Sequence, residues 1–166
     1  MFKGTKFEKE IQKILKTERT LTKDFRILPE FLVIGVMKGG TSFLFNYLVK
    51  HYAIGKPFKK ELRFFLTDYQ QDLSYYRRFF PLKAEKVLKE IFFTKQFLTG
   101  EATPSYFFYP FAAERICQHL PNVKLIVVLR NPVERAFSHY QHLKQRGKIN
   151  FTFEETIEHE LNHYEN

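Results

Sequence analysis

Lys38, Thr41 and Ser42 stand in one short segment with two glycines, Lys38-Gly-Gly-Thr-Ser42, and this combination suits an anion. The glycines permit close backbone approach. A lysine and two hydroxyls can contact the phosphate, and a helix starting at the same point adds unpaired N–H donors and a positive dipole end. Arg130 and Ser138 form a second set, in which a guanidinium fork and a hydroxyl could hold one further phosphate.

These residues need elements to position them. The six residues before Met37, Phe31 to Val36, include five apolar ones without alternation, the pattern of a parallel strand buried on both faces. Leu44, Tyr47 and Leu48 then follow at helical spacing, so the glycine segment joins strand to helix. Val123 to Arg130 reads as a second strand of the buried type, and Asn131-Pro132 as a helix start with Asn at the N-cap. Arg130 thus lies at the carboxyl end of a strand, where parallel α/β sheets bind ligands. Ser138, seven residues after the cap, falls nearly in line with it on the helix face. The plainer alternative pairs Arg130 with Glu134 and leaves Ser138 incidental.

The register of the first loop separates two phosphate chemistries. Placing Gly35 and Gly40 on the glycines of a nucleoside-triphosphatase loop puts Thr41 at the lysine position. The lysine sits three residues earlier, which argues against a triphosphate-plus-magnesium site.

Lys38-Gly-Gly-Thr-Ser42, Lys60-Glu-Leu-Arg-Phe-Phe65, Gly100-Glu-Ala-Thr-Pro-Ser-Tyr106 and Leu129-Arg-Asn-Pro-Val-Glu-Arg-Ala-Phe-Ser-His-Tyr140 occur in a telling order. In order and approximate spacing the four segments resemble the sulfotransferases that use 3'-phosphoadenosine-5'-phosphosulfate, in particular the heparan-sulfate-type branch and its bacterial relatives. The resemblance covers residues 31 to about 145. It implies a P-loop-like, three-layer α/β/α fold with a central mostly parallel sheet. It also implies that Lys38, Gly39, Gly40, Thr41 and Ser42 hold the 5'-phosphosulfate, and that Arg130 and Ser138 hold the 3'-phosphate.

The reaction so implied moves SO3 in line from a phosphate leaving group to a hydroxyl or amine. Lys38 is placed to offset charge growing on the bridging oxygen, and Glu61 to act as base, so these two are the expected catalytic residues. Without the resemblance, Glu61 would read as a solvated glutamate among Lys59, Lys60 and Arg63. On the acceptor side Lys60, Arg63, Glu101, Ser105 and Tyr106 are expected to bind substrate, Glu101 alternatively bonding the phosphate loop. Arg63 stands where some heparan-sulfate enzymes have histidine, and Ala102 where they have lysine, so the acceptor is not simply theirs. No metal is expected.

The 166 residues carry 27 basic against 18 acidic side chains, a formal charge of +9, which suits a nucleotide donor or an acidic saccharide. The basic residues are scattered and no nucleic-acid motif is present, so specific nucleic-acid binding is not expected. One cysteine, Cys117, excludes an internal disulfide, and its place among Ala112, Ile116 and Leu120 predicts a buried thiol. No segment has the length and apolarity to insert in a membrane, and Met1 to Arg26 is too charged for a signal peptide, so a cytoplasmic protein is expected.

Residues 1–30 read as an amphipathic helix, with Thr5 and Glu8 as capping box, and a linker; residues 31–166 read as the N-terminal portion of a sulfotransferase domain, truncated at its carboxyl end. Helices are expected over Asp68–Phe80, Ala84–Phe93 and Phe111–Leu120, a strand over Phe97–Ala102, and a last helix capped by Thr152 and Glu155. The phenylalanines between Tyr106 and Phe111 are expected in the core, and an incomplete, aromatic-rich sheet edge would favour self-association. Two other readings remain: a noncatalytic nucleotide-binding remnant, and a P-loop kinase. The kinase is disfavoured by Thr41 and by the lack of a strand-end aspartate for magnesium.

Overall fold

The computed structural model describes residues 6–93 and 95–164. Its centre is a parallel four-stranded sheet of β1 (Phe31–Gly35), β2 (Ile54–Gly55), β3 (Leu98–Ala102) and β4 (Lys124–Val127), in the order β2-β3-β1-β4. β1 lies between β3 and β4, with Leu32 opposite Glu101 on one side and Leu125 on the other. This interior position accounts for its unbroken apolar run.

Alternate residues of β1 feed two cores. Leu32 packs with Leu62, Phe65, Tyr76, Tyr106 and Ile116, whereas Phe31 and Val33 pack with Phe45 and Ala102. Phe45 belongs to α2 (Thr41–Leu48) and Ile116 to α5 (Pro110–His119), so helices cover both faces and the three-layer α/β/α expectation holds. Within α2 the buried residues are Thr41 and Phe45, while Tyr47 is exposed and Leu44 and Leu48 are half-buried.

Several elements differ from their sequence reading. Of the helix expected over residues 68–80 only α3 (Leu73–Arg77) forms, because Asp72 caps it: its carboxylate accepts from Tyr75 N at 2.7 Å and Ser74 Oγ at 2.6 Å. α4 (Lys83–Phe93) and α5 lie close to their expected bounds. β4 is not buried on both faces; it is an edge strand, and Leu125 and Val127 are exposed. Cys117 is exposed rather than buried, since α5 turns Ala112 and Ile116 inward. Phe107, Phe108 and Phe111 are exposed as well, and only Tyr106 enters the core.

The N-terminal helix α1 (Lys6–Leu21) is tied to the domain by arginines rather than by buried apolar side chains. Arg26, itself buried, donates to Glu18 Oε1 at 2.6 Å, Thr22 Oγ1 at 2.9 Å and Phe80 O at 2.8 Å. Arg19 donates to Arg78 O at 2.9 Å. The expected cap at Thr5 lies outside the described residues. At the other end, α6 (Pro132–Gln145) is capped by Asn131, and α7 (Phe153–Tyr164) by a reciprocal box in which Glu155 N donates to Thr152 Oγ1 at 3.2 Å and Thr152 N to Glu155 Oε2 at 2.7 Å. Among the described residues no helix is long and apolar enough to cross a membrane.

Candidate functional site

The phosphate loop leaves the carboxyl end of β1 and is held by β4. Val36 N donates to Val128 O at 3.0 Å and Val128 N to Gly35 O at 2.8 Å, extending the pairing beyond the strands. Gly39 then passes so close to the residue after β4 that a Cβ would lie 2.5 Å from Val128 O; its glycine serves this approach of backbone to backbone. Gly40, with φ 104, serves the backbone turn and is the N-cap of α2. Lys38 has φ 65, in the left-handed region that disfavours residues with a Cβ. Thr41 is buried, and Ser42 is exposed one residue later.

A second loop meets the first. The Lys60 ammonium donates to Ser42 Oγ and lies 3.6 Å from Glu61 Oε1. Lys60 thus touches the phosphate loop, with its ammonium shared between that loop and the expected base. The Glu61 carboxylate is half exposed, open to an incoming group rather than lost in the interior. Glu61 and Arg63 both have φ 57, and with Lys38 they are the non-glycine residues with positive φ among the described residues. Such conformations cost of order 1–3 kcal/mol each and persist where surrounding structure imposes them.

That surrounding structure is a buried polar hub on β3. Glu101, with no exposed surface, accepts from Tyr76 Oη at 2.8 Å, Tyr106 Oη at 2.9 Å, Thr103 Oγ1 at 2.7 Å and Leu62 N at 3.1 Å. Thr103 Oγ1 also accepts from Arg63 N at 3.2 Å, and Tyr106 Oη from Phe65 N at 3.4 Å. Three backbone N–H groups of the Glu61 loop are therefore held by side chains of β3 and of the segment that follows it. Burial raises the Glu101 carboxyl above its ordinary value, against the opposing pull of its four donors. Burial together with the Glu101 charge pushes Tyr76 and Tyr106 upward, so both remain donors.

Two expected substrate contacts are corrected by this geometry. Glu101 and Tyr106 are sealed in the core and cannot meet an acceptor; they hold the loop that carries Glu61. The alternative that Glu101 bonds the phosphate loop does not appear either: its four partners lie elsewhere. Arg63 is exposed and Ser105 half-buried, leaving both accessible.

Arg130 stands beyond the end of β4, on the sheet edge that carries Lys38, as parallel pairing of β1 and β4 requires. Its Nε lies 3.1 Å from Glu134 Oε2, the plainer pairing, and Ser138 is half-buried on α6. His139 follows Ser138 and lies within electrostatic reach of Lys38. Burial, then Arg135 and Lys38, hold its imidazole below the ordinary value, with Glu160 opposing. Sequence reasoning missed His139, Thr103 and the Lys60–Ser42 contact. Thr103 and His139 stood inside recognised segments, but nothing in their type or spacing told support from contact. Among the described residues no cluster of His, Cys, Asp or Glu could hold a metal.

A family profile described as "Sulfotransferase domain" matches residues 28–166. The membrane-associated sulfotransferase kil1 of Dictyostelium discoideum is 40% identical over 139 residues, which are 80% of this chain and 28% of that protein. The human heparan sulfate glucosamine 3-O-sulfotransferase 6 is 38% identical over 115 residues, 69% of this chain and 30% of the relative. The human bifunctional heparan sulfate N-deacetylase/N-sulfotransferase 2 is 32% identical over 139 residues, 78% of this chain and 15% of the relative. The chain thus spans less than a third of the length of these relatives. Among solved structures, a sulfotransferase from Alicyclobacillus acidocaldarius superposes with a TM-score of 0.63 at 33% identity, covering 78% of this chain and 55% of that one.

Proposed function

The chain belongs to the sulfotransferase domain family, and from that premise we propose that it transfers a sulfuryl group from 3'-phosphoadenosine-5'-phosphosulfate to a hydroxyl or amine of an acidic saccharide. The observation that carries this reading is the meeting of two loops: Lys60 bonds Ser42 of the phosphate loop and lies 3.6 Å from Glu61. A donor phosphosulfate on the first loop would have its sulfur facing the second. The acceptor follows from the +9 charge and from relatives whose names specify heparan sulfate.

The acceptor oxygen or nitrogen attacks sulfur as the bond from sulfur to the bridging oxygen breaks. The electron pair of that bond leaves with 3'-phosphoadenosine 5'-phosphate, and the Lys38 ammonium offsets the charge gathering there. Glu61 accepts the proton the acceptor loses. Lys60, between Ser42 and Glu61, keeps the base beside the donor loop. Arg130 and Ser138 take the 3'-phosphate, for which Arg130 must exchange its Glu134 partner. Strain at Lys38, Glu61 and Arg63 fits a site shaped in advance of its ligands.

The test is a transfer assay with 3'-phosphoadenosine-5'-phosphosulfate and a uronate-containing oligosaccharide, following release of 3'-phosphoadenosine 5'-phosphate. Glu61→Gln keeps shape but not basicity, and should slow release by roughly 100-fold or more while nucleotide affinity stays near wild type. Saccharide-dependent release unaffected by Glu61→Gln would overturn the base assignment.

A further inference from the structure

A cleft of about 430 Å³ opens between α1, the segment before Glu61 and α3. Lys16 and Arg19 enter it from α1, Lys59 from the base-bearing loop, and Arg78 from the end of α3. Asp68 is the acidic residue among them. Two guanidinium groups already lie over rings: the Arg78 Cζ is 3.9 Å from the Tyr75 ring centroid and the Arg19 Cζ 4.6 Å from that of Phe58. Among the described residues Lys16, Lys59 and Arg78 have no carboxylate within 4.0 Å, so their charges are free for a ligand. Lys59 is two residues from Glu61, at most about 7.6 Å between Cα atoms at 3.8 Å per residue. Half of the cations come from α1, which lies outside the matched residues 28–166, so the cleft is not simply a feature of that domain.

Resting on the saccharide reading above, we propose that this cleft is an acceptor subsite for an acidic sugar residue adjoining the one that is sulfated. Its carboxylate or sulfate would meet Lys16, Lys59 and Arg78, and the Tyr75 ring would border its apolar face. Arginines fixed on aromatic rings suit a planar carboxylate or a sulfate, because their forks are oriented before binding. A second cleft of about 440 Å³, lined by Lys50, Lys56, Lys89 and Glu85, shares Arg19 with the first, and in it Lys89 is already paired with Glu85 at 3.2 Å.

Lys16 and Lys59 are exposed, so the double variant Lys16→Glu, Lys59→Glu should fold as wild type does. Titration of the full chain with a sulfated, uronate-containing tetrasaccharide should show at least a 10-fold loss of affinity in the double variant. Affinity for 3'-phosphoadenosine 5'-phosphate should change less than two-fold. Unchanged tetrasaccharide affinity would overturn the subsite and leave the sulfotransferase reading in place. A wild-type chain that binds nucleotide but no tetrasaccharide would overturn both the subsite and the acceptor class. Tighter binding of a single-stranded oligonucleotide of equal charge, lost in the same variant, would assign the cleft to nucleic acid instead. As a second variant, Tyr75→Ala should weaken tetrasaccharide binding several-fold without altering salt dependence; no effect would remove the ring from the subsite.

Discussion

Glu101 Oε2 accepts the Leu62 backbone N–H at 3.1 Å, so a buried carboxylate holds the residue after Glu61 across 39 positions of chain. Glu101→Gln replaces an acceptor with an amide that faces several donors, and should lower stability by about 1–3 kcal/mol. As a positioning residue Glu101 should matter more to transfer than to the donor. The expected result is a fall in kcat well beyond any change in nucleotide affinity, measured at a temperature where the variant is folded. Equal loss of both would reduce Glu101 to a structural role.

Burial raises the Glu101 carboxyl, so the folded chain keeps this proton to higher pH than the unfolded chain, whose glutamates titrate near about 4.3. Its contribution to stability is full below that value and declines as pH rises through the raised folded value. Thermal melts taken upward from about pH 4 should show this decline in wild type and lose it in Glu101→Gln. Identical slopes would contradict the shift.

His139 behaves in the opposite sense. Burial, Arg135 and Lys38 lower it, so its contribution is present above about pH 6.5 and lost as pH falls through the lowered value. An anion on the Lys38 loop counters the repulsion from Lys38, so nucleotide binding should favour proton uptake at His139. The affinity of wild type relative to His139→Gln should therefore rise as pH falls from 8 to 6, a window around about pH 6.5. A constant ratio would separate His139 from the donor site.

Arg130 is paired with Glu134 before any ligand arrives. The pair is exposed and worth about 0.2–1 kcal/mol, so Glu134→Gln should free Arg130 and tighten 3'-phosphoadenosine 5'-phosphate binding by up to about five-fold. Arg130→Ala should erase the preference for this nucleotide over adenosine 5'-phosphate. Weaker binding in Glu134→Gln would show that Glu134 supports the site instead of competing for it.

Local and repeating signals were legible in the sequence. The apolar run of β1, the Asn131 cap and the Thr152–Glu155 box all formed where residue type and spacing placed them. Burial was harder to read wherever it depended on a distant neighbour. Val123 to Arg130 has the composition of a central strand, yet β4 is an edge and exposes Leu125. Glu101 looked like a cleft residue because a charged side chain is seldom sealed in a core without partners, and its partners Tyr76, Tyr106 and Thr103 are joined only by the tertiary fold. The Glu61 loop was recognised through resemblance alone, since its left-handed residues have no sequence mark.

The donor site is tested most directly by calorimetric titration of the chain with 3'-phosphoadenosine 5'-phosphate, adenosine 5'-phosphate and ATP with magnesium, in wild type and Lys38→Ala. Binding should be tightest for 3'-phosphoadenosine 5'-phosphate and should weaken for it in Lys38→Ala. Tighter binding of magnesium–ATP, or affinity for 3'-phosphoadenosine 5'-phosphate that survives Lys38→Ala unchanged, would contradict the assignment of the Lys38 loop to a sulfuryl donor.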